Sequence, residues 1–127
     1  MPDKLVYEYA VLRLVPRVER EEFINIGVAL FCKQTSYIGV KFKLDETRAK
    51  ALYPLIDVSE VQCYLDSFHK IAIGSEDGGP ISKFDIPSRF RWLTARRSTV
   101  VQISPIHSGL TENPELTLDR LFKELVL

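Results

Sequence analysis

The chain opens on strict alternation. From Leu5 to Val15 it reads Leu-Val-Tyr-Glu-Tyr-Ala-Val-Leu-Arg-Leu-Val. Tyr7, Tyr9, Val11, Arg13 and Val15 share one side of a period of two, with Val6, Glu8, Ala10, Leu12 and Leu14 on the other. That period, with its aromatic and β-branched content, predicts a strand. Pro16 ends it, and residues 17 to 22 form a charged connection. Phe23 to Lys33 is almost continuously apolar, which predicts a central strand covered on both faces. After a turn at Gln34-Thr35-Ser36, alternation resumes from Tyr37 to Leu44, with Lys41 and Lys43 opposite Phe42 and Leu44. The first third therefore predicts a three-stranded antiparallel meander.

The period then changes. Asp45 is placed to cap a short helix over Glu46 to Tyr53, limited by Pro54. Asp57 or Ser59 caps the next, whose apolar positions Val58, Val61, Leu65, Phe68 and Ala72 recur at helical spacing. Tyr64 and Ile71 widen that stripe, Gly74 ends it, and Gly78-Gly79 lie in a loop. Ser88 is placed to cap a third helix from Arg89 to about Ala95, and Thr99 to Ser104 is β-branched enough for a fourth strand. Residues 105 to 111 read as a loop. Asn113-Pro114 is a cap followed by proline in the first helical turn. Leu116, Leu118, Leu121, Phe122 and Leu125 then form the core stripe of a last helix.

The resulting order is β-β-β-α-α-α-β-α. It predicts an α+β domain: an antiparallel sheet of about four strands with helices packed mainly on one face. With 127 residues, 46% hydrophobic and 27% charged, one domain spanning 1–127 suffices, with no repeat or linker. No apolar run nears the roughly 18 residues of a membrane span. The start, Met1-Pro2-Asp3-Lys4, is unlike a signal peptide, so a cytoplasmic protein with no membrane partner is expected.

Charge adds a further constraint. Seventeen basic and seventeen acidic side chains cancel, which disfavours wholesale nucleic-acid binding. The distribution is uneven. Residues 57 to 79 hold Asp57, Glu60, Asp66, Glu76 and Asp77 against Lys70 alone, while 89 to 109 hold Arg89, Arg91, Arg96 and Arg97 with no acid. These segments either neutralise each other within the fold or orient a partner. Cys32 and Cys63 are isolated, giving neither a disulfide framework nor a metal signature. No metal and no cofactor is expected.

Three stretches could carry chemistry. Arg13 with Asn25 and Gly27 suggests a polar site at the sheet edge or, more simply, a hydrogen-bonded structural asparagine beside a bulge. In Arg89-Phe90-Arg91-Trp92-Leu93-Thr94-Ala95-Arg96-Arg97-Ser98-Thr99, guanidinium groups suited to phosphate or carboxylate alternate with aromatics and run into hydroxyls. Arg91, Arg96, Arg97, Ser98 and Thr99 are its candidate binding residues. In Gln102-x-Ser104-Pro105-x-His107-Ser108-Gly109, Ser104, Ser108 and His107 suggest a nucleophile and its base, but no acid between 98 and 111 orients the imidazole; His107 and Ser98 are the candidate catalytic residues. Phosphate-loop, dinucleotide and metalloprotease motifs are absent from the sequence.

Tyr9-x-x-x-Arg13-x-x-Pro16 followed by Glu22-Phe23-x-Asn25-x-Gly27-Val28 resembles the opening of a bacterial family, domain of unknown function 3037. Arg89-Phe90-x-x-Leu93-Thr94, Arg97-Ser98-Thr99, Gln102, Ser104-Pro105-x-His107-x-Gly109 and Pro114 resemble its second half. Arg96 stands where that pattern has proline, which would stiffen the bend. The resemblance supplies no reaction and no catalytic residues. By association it implies an accessory protein acting with a kinase-like partner of the HipA type.

The leading expectation is a non-enzymatic binding protein that docks such a partner through the 89–97 or the 57–77 segment. The alternative is a phosphate- or nucleotide-ligand enzyme in which Arg13, Arg97, Ser98 and His107 converge on one cleft. Nucleic-acid binding ranks third. A homodimer through an exposed edge strand such as Tyr37 to Leu44 stays open.

Overall fold

The computed structural model describes residues 4–97 and 99–127. Its first strands, β1 (Leu5–Leu14), β2 (Ile24–Cys32) and β3 (Tyr37–Phe42), form the expected antiparallel meander. Then come α1 (Glu46–Leu52), α2 (Val58–Ile73) and α3 (Ile86–Leu93), with short 3-10 turns between α2 and α3. The chain returns as β4 (Val101–Ile103) and β5 (His107–Thr111) and ends in α4 (Pro114–Leu125).

Among the described residues the sheet has five strands, one more than the pattern predicted, because residues read as a loop pair with β1 as β5. β4 and β5 lie end to end along the same edge of β1. Leu12 pairs with Ile103 and Tyr9 with His107, so two β1 residues face three across the break at Ser104-Pro105-Ile106. That extra residue makes a bulge, and it hid the strand's continuity from the sequence. β3 forms the opposite edge, the place where sequence reading put pairing of two copies.

Helices cover both faces unequally. Leu12, Leu14, Ile26, Ala29 and Phe31 of the sheet bury against Ala49, Val61, Leu65, Phe68, Phe90 and Leu93 of α1, α2 and α3. On the other face Tyr7, Val28, Leu30 and Cys32 meet Leu118 and Leu121 of α4. Three of the four α-helices among the described residues thus share one face. Leu116, expected in the α4 stripe, is instead 63% exposed in the helix's first turn.

The face assignment turns on a bulge in β2. Leu12 pairs with Gly27, but Arg13 pairs with Asn25, leaving Ile26 as the extra residue. Side-chain alternation therefore slips by one. Val28, Leu30 and Cys32 face α4, whereas Ile26 faces α1–α3 and Asn25 turns back to α4.

Asp45, Asp57 and Asn113 cap their helices through the N–H groups of Arg48, Glu60 and Leu116. For α3 the cap is Asp85 in place of Ser88, and the helix starts three residues earlier than Arg89. The Ser88 hydroxyl and N–H, with help from Arg89, hold the Asp85 carboxyl below its ordinary 3.8. A depressed carboxylate stabilises above its unfolded pKa and loses that contribution as pH falls through the folded value. Unfolding midpoints of the parent and Asp85→Ala should therefore converge on acidification below the carboxylate range. A gap that stays constant down to about pH 2 would exclude a charge-based role for Asp85.

Candidate functional site

The two polar stretches singled out in the sequence meet at the β4 edge. On β1, Arg13 lies directly opposite Gln102 of β4. Its guanidinium stacks over the Phe23 ring at 4.2 Å, and its Nε is buried without a hydrogen-bond acceptor among the described residues. From the other side, α3 delivers the arginine-rich turn. Phe90 and Leu93 are fully buried and fix the helix, and the Thr94 hydroxyl closes it on the Phe90 carbonyl at 2.8 Å. Arg97 then folds back. Its Nη2 donates to the Trp92 carbonyl at 2.6 Å, and its guanidinium lies over Trp92 (4.7 Å) and Phe68 (5.1 Å). Burial lowers its pKa, which for arginine leaves the charge in place at neutral pH.

Arg13, Thr94, Arg96, Arg97 and Gln102 line one groove of about 500 Å³, bounded by Ile103–Ile106. Among the described residues no acidic side chain lines it. A second, more apolar hollow of about 290 Å³ adjoins it, walled by Tyr64, Phe68, Trp92 and Thr99. Arg97 belongs to both.

The acidic stretch does not neutralise these arginines. Asp57 caps α2 and Asp77 pairs with Lys70. Among the described residues no ion pair joins Arg89, Arg91, Arg96 or Arg97 to a carboxylate. Arg89 does a structural job: its Nη1 donates to the Ile71 and Ala72 carbonyls at the end of α2 (3.2 and 3.0 Å). Guanidinium groups in an acid-free hollow are equipped to take carboxylate or phosphate oxygens in pairs.

Other candidates lie elsewhere. Asn25 donates its amide to the Leu125 carbonyl at 3.1 Å, and Arg48 donates to the Val126 carbonyl at 3.0 Å, so together they close the end of α4. Arg91 lines a separate hollow with Glu8, Phe31 and Lys33. Thr99 donates its hydroxyl to the Val101 carbonyl at 2.6 Å. His107 is exposed, stands opposite Tyr9, and has its ring 5.2 Å from the Tyr9 ring. It is four residues along β1 from the Arg13 register, about 13 Å at strand rise, and does not line the groove. Of the set that would form a catalytic cleft, Arg13 and Arg97 share the groove, and Ser98 lies outside the described residues. The Ser104 hydroxyl accepts from the Val11 N–H (2.8 Å) and donates to the Pro105 carbonyl (2.9 Å) inside the edge bulge. Thr94 and Gln102 also line the groove; both stand in the stretches quoted from the sequence but were not named there as binding residues, and the pairing of β4 with β1 is what sets Gln102 beside Arg13.

The two motifs thus lie side by side because β1 pairs with β4 and β5: Arg13 meets Gln102, and Tyr9 meets His107. Against known families, the pattern described as a protein of unknown function (DUF3037) matches residues 9–126. The chain belongs to the DUF3037 family. No curated protein and no solved structure matches it. In this DUF3037 chain, the matched span takes in the whole groove, from Arg13 to Ile106. No helix among the described residues is long and apolar enough to cross a membrane.

Proposed function

We propose that this DUF3037 protein is a non-enzymatic binding protein that holds an anionic surface of a partner in the Arg13/Arg96/Arg97 groove. One observation carries the reading: three arginines from two distant segments line a single hollow that, among the described residues, holds no acidic side chain and no ion pair to a carboxylate. Left without a partner, such a cluster repels itself, and a carboxylate or phosphate group relieves that repulsion. The resemblance noted above nominates a HipA-type kinase in a bacterial cytoplasm as the partner.

Affinity purification of the tagged protein from its native cells, with mass spectrometry of what accompanies it, tests this first. A near-stoichiometric partner is expected. Arg96 is exposed and makes no hydrogen bond among the described residues, so reversing its charge should leave the fold intact. Arg96→Glu should weaken the complex by about ten- to a hundredfold, the worth of one or two charge-assisted bonds. Raising the salt should shrink that difference. Unchanged affinity in a folded Arg96→Glu protein would overturn the reading.

A further inference from the structure

We propose that the groove's occupant is an extended acidic peptide segment, added as a strand beside β4, with an apolar side chain seated in the Phe68–Trp92 hollow. The proposal rests on the groove being an anion-docking site and adds the chemistry of what docks there.

The backbone makes the first argument. β4 ends the strand order, so it pairs with β1 on one side and, among the described residues, with no strand on the other. The Val15 N–H donates to the Val100 carbonyl (2.7 Å) and the Ser104 N–H to the Val11 carbonyl (2.9 Å). Residues 100, 102 and 104 therefore spend their backbone groups on β1. By strand alternation, Val101 and Ile103 direct theirs outward. The Val101 carbonyl already receives the Thr99 hydroxyl. Ile103 lines the groove and offers both an N–H and a C=O on that side. An open edge with backbone groups facing a hollow is what strand addition requires.

Side chains make the second. Arg13 and Gln102 are a cross-strand pair on the α4 side of the sheet, since Arg13 shares its strand face with Tyr7 and Tyr9. Val101 belongs to the core cluster on the opposite side, where Phe68 also lies. An added strand would thus send one set of alternate side chains toward Arg13. It would send the other toward Arg97 and the aromatic hollow. Carboxylates suit the first set, and carboxylates with one apolar anchor suit the second. Among the described residues no acid lines either hollow.

A nucleic-acid strand fits less well. The chain as a whole is neutral, and Arg97 already occupies a face of both Phe68 and Trp92, where a base would stack. The space left beside those rings suits an aliphatic or aromatic side chain.

The test uses the full-length protein and fluorescein-labelled ten-residue peptides. Their acidic residues surround one central Leu, Ile, Phe or Trp, and fluorescence anisotropy reads binding. At least one peptide should bind, and replacing its anchor with Ala should weaken it about tenfold. N-methylation of one alternate set of peptide bonds should abolish binding, while the other set is tolerated, because only one set faces β4. Equal binding by both N-methylated sets would overturn strand addition. Retained loss on Arg96→Glu would then leave the anion-docking reading standing. Binding of a ten-nucleotide oligodeoxythymidylate with no peptide bound below about 1 mM would overturn the acidic peptide as occupant. Peptide binding indifferent to Arg96→Glu would remove the groove itself as the site.

Discussion

Phe90→Ala is expected to lower stability by about 3–5 kcal/mol, the cost of removing a large, well-packed aromatic from a core. Phe90 is 1% exposed and stacks on Phe31 of β2 with ring centroids 5.2 Å apart. It is the main apolar tie between α3 and the sheet, alongside Leu93. The loss combines the transfer term of the ring, the cavity left behind and the forfeited stacking. A urea titration would show a midpoint lowered by more than about 1 M, at a slope typical of this size. The effect reaches the groove as well, because Trp92 and the arginine-bearing turn hang on the end of the same helix. Partner affinity should therefore fall at urea concentrations that leave the parent protein intact. A stability loss under about 1 kcal/mol would mean that Phe31 and its neighbours collapse into the vacated space.

Gly27→Val is expected to destabilise by about 1–3 kcal/mol, as overpacking does in a well-filled core. A Cβ at this position would come within 2.9 Å of the Lys41 carbonyl oxygen and 3.0 Å of the Phe42 Cβ. The first of these is backbone in the neighbouring strand, so relief requires β3 to move away from β2. Gly27 also sits beside the bulge that sets the faces of β2. Any relaxation that removes the bulge would turn Asn25 away from α4 and Ile26 toward it, exchanging an amide and an apolar side chain between environments. Chemical denaturation should show the loss, and amide exchange should show it concentrated in β3 and the end of α4. Unaltered protection in those two elements would exclude the β2–β3 clash as its cause. The Leu12 Cβ would lie 3.4 Å from the added Cβ, an ordinary van der Waals contact, so the clash is with β3.

Much of the fold was readable along the chain. β1, β3 and α2 appeared at nearly their observed limits because their periods are clean and their ends are marked by Pro16, Gly74 and capping aspartates. The start of α3 was misplaced because Pro87 sits in its first turn and Asp85 and Ser88 are both plausible caps on composition. β5 was missed because Gly109 and the polar His107-Ser108 pair imitate a loop. Its strand pairing is to β1, about a hundred residues earlier, and leaves no local trace. The β2 bulge was equally hidden. In a continuously apolar run, a slip of one residue exchanges one apolar side chain for another, apart from Asn25.

The candidate site divides in the same way. Arg13, Arg96 and Arg97 stood out by residue type, and the resemblance that names the family rests on residues quoted from the sequence alone. The assembly of those residues did not stand out. Asn25 belongs to the close of α4, Arg89 to the end of α2 and His107 to the face of Tyr9, while Gln102 joins Arg13. Fold class, helical stripes, segregation of charge and family are all written in local order and can be read along the chain. Which polar groups meet cannot, because strand pairing across some ninety residues sets that arrangement and two bulges fix its register.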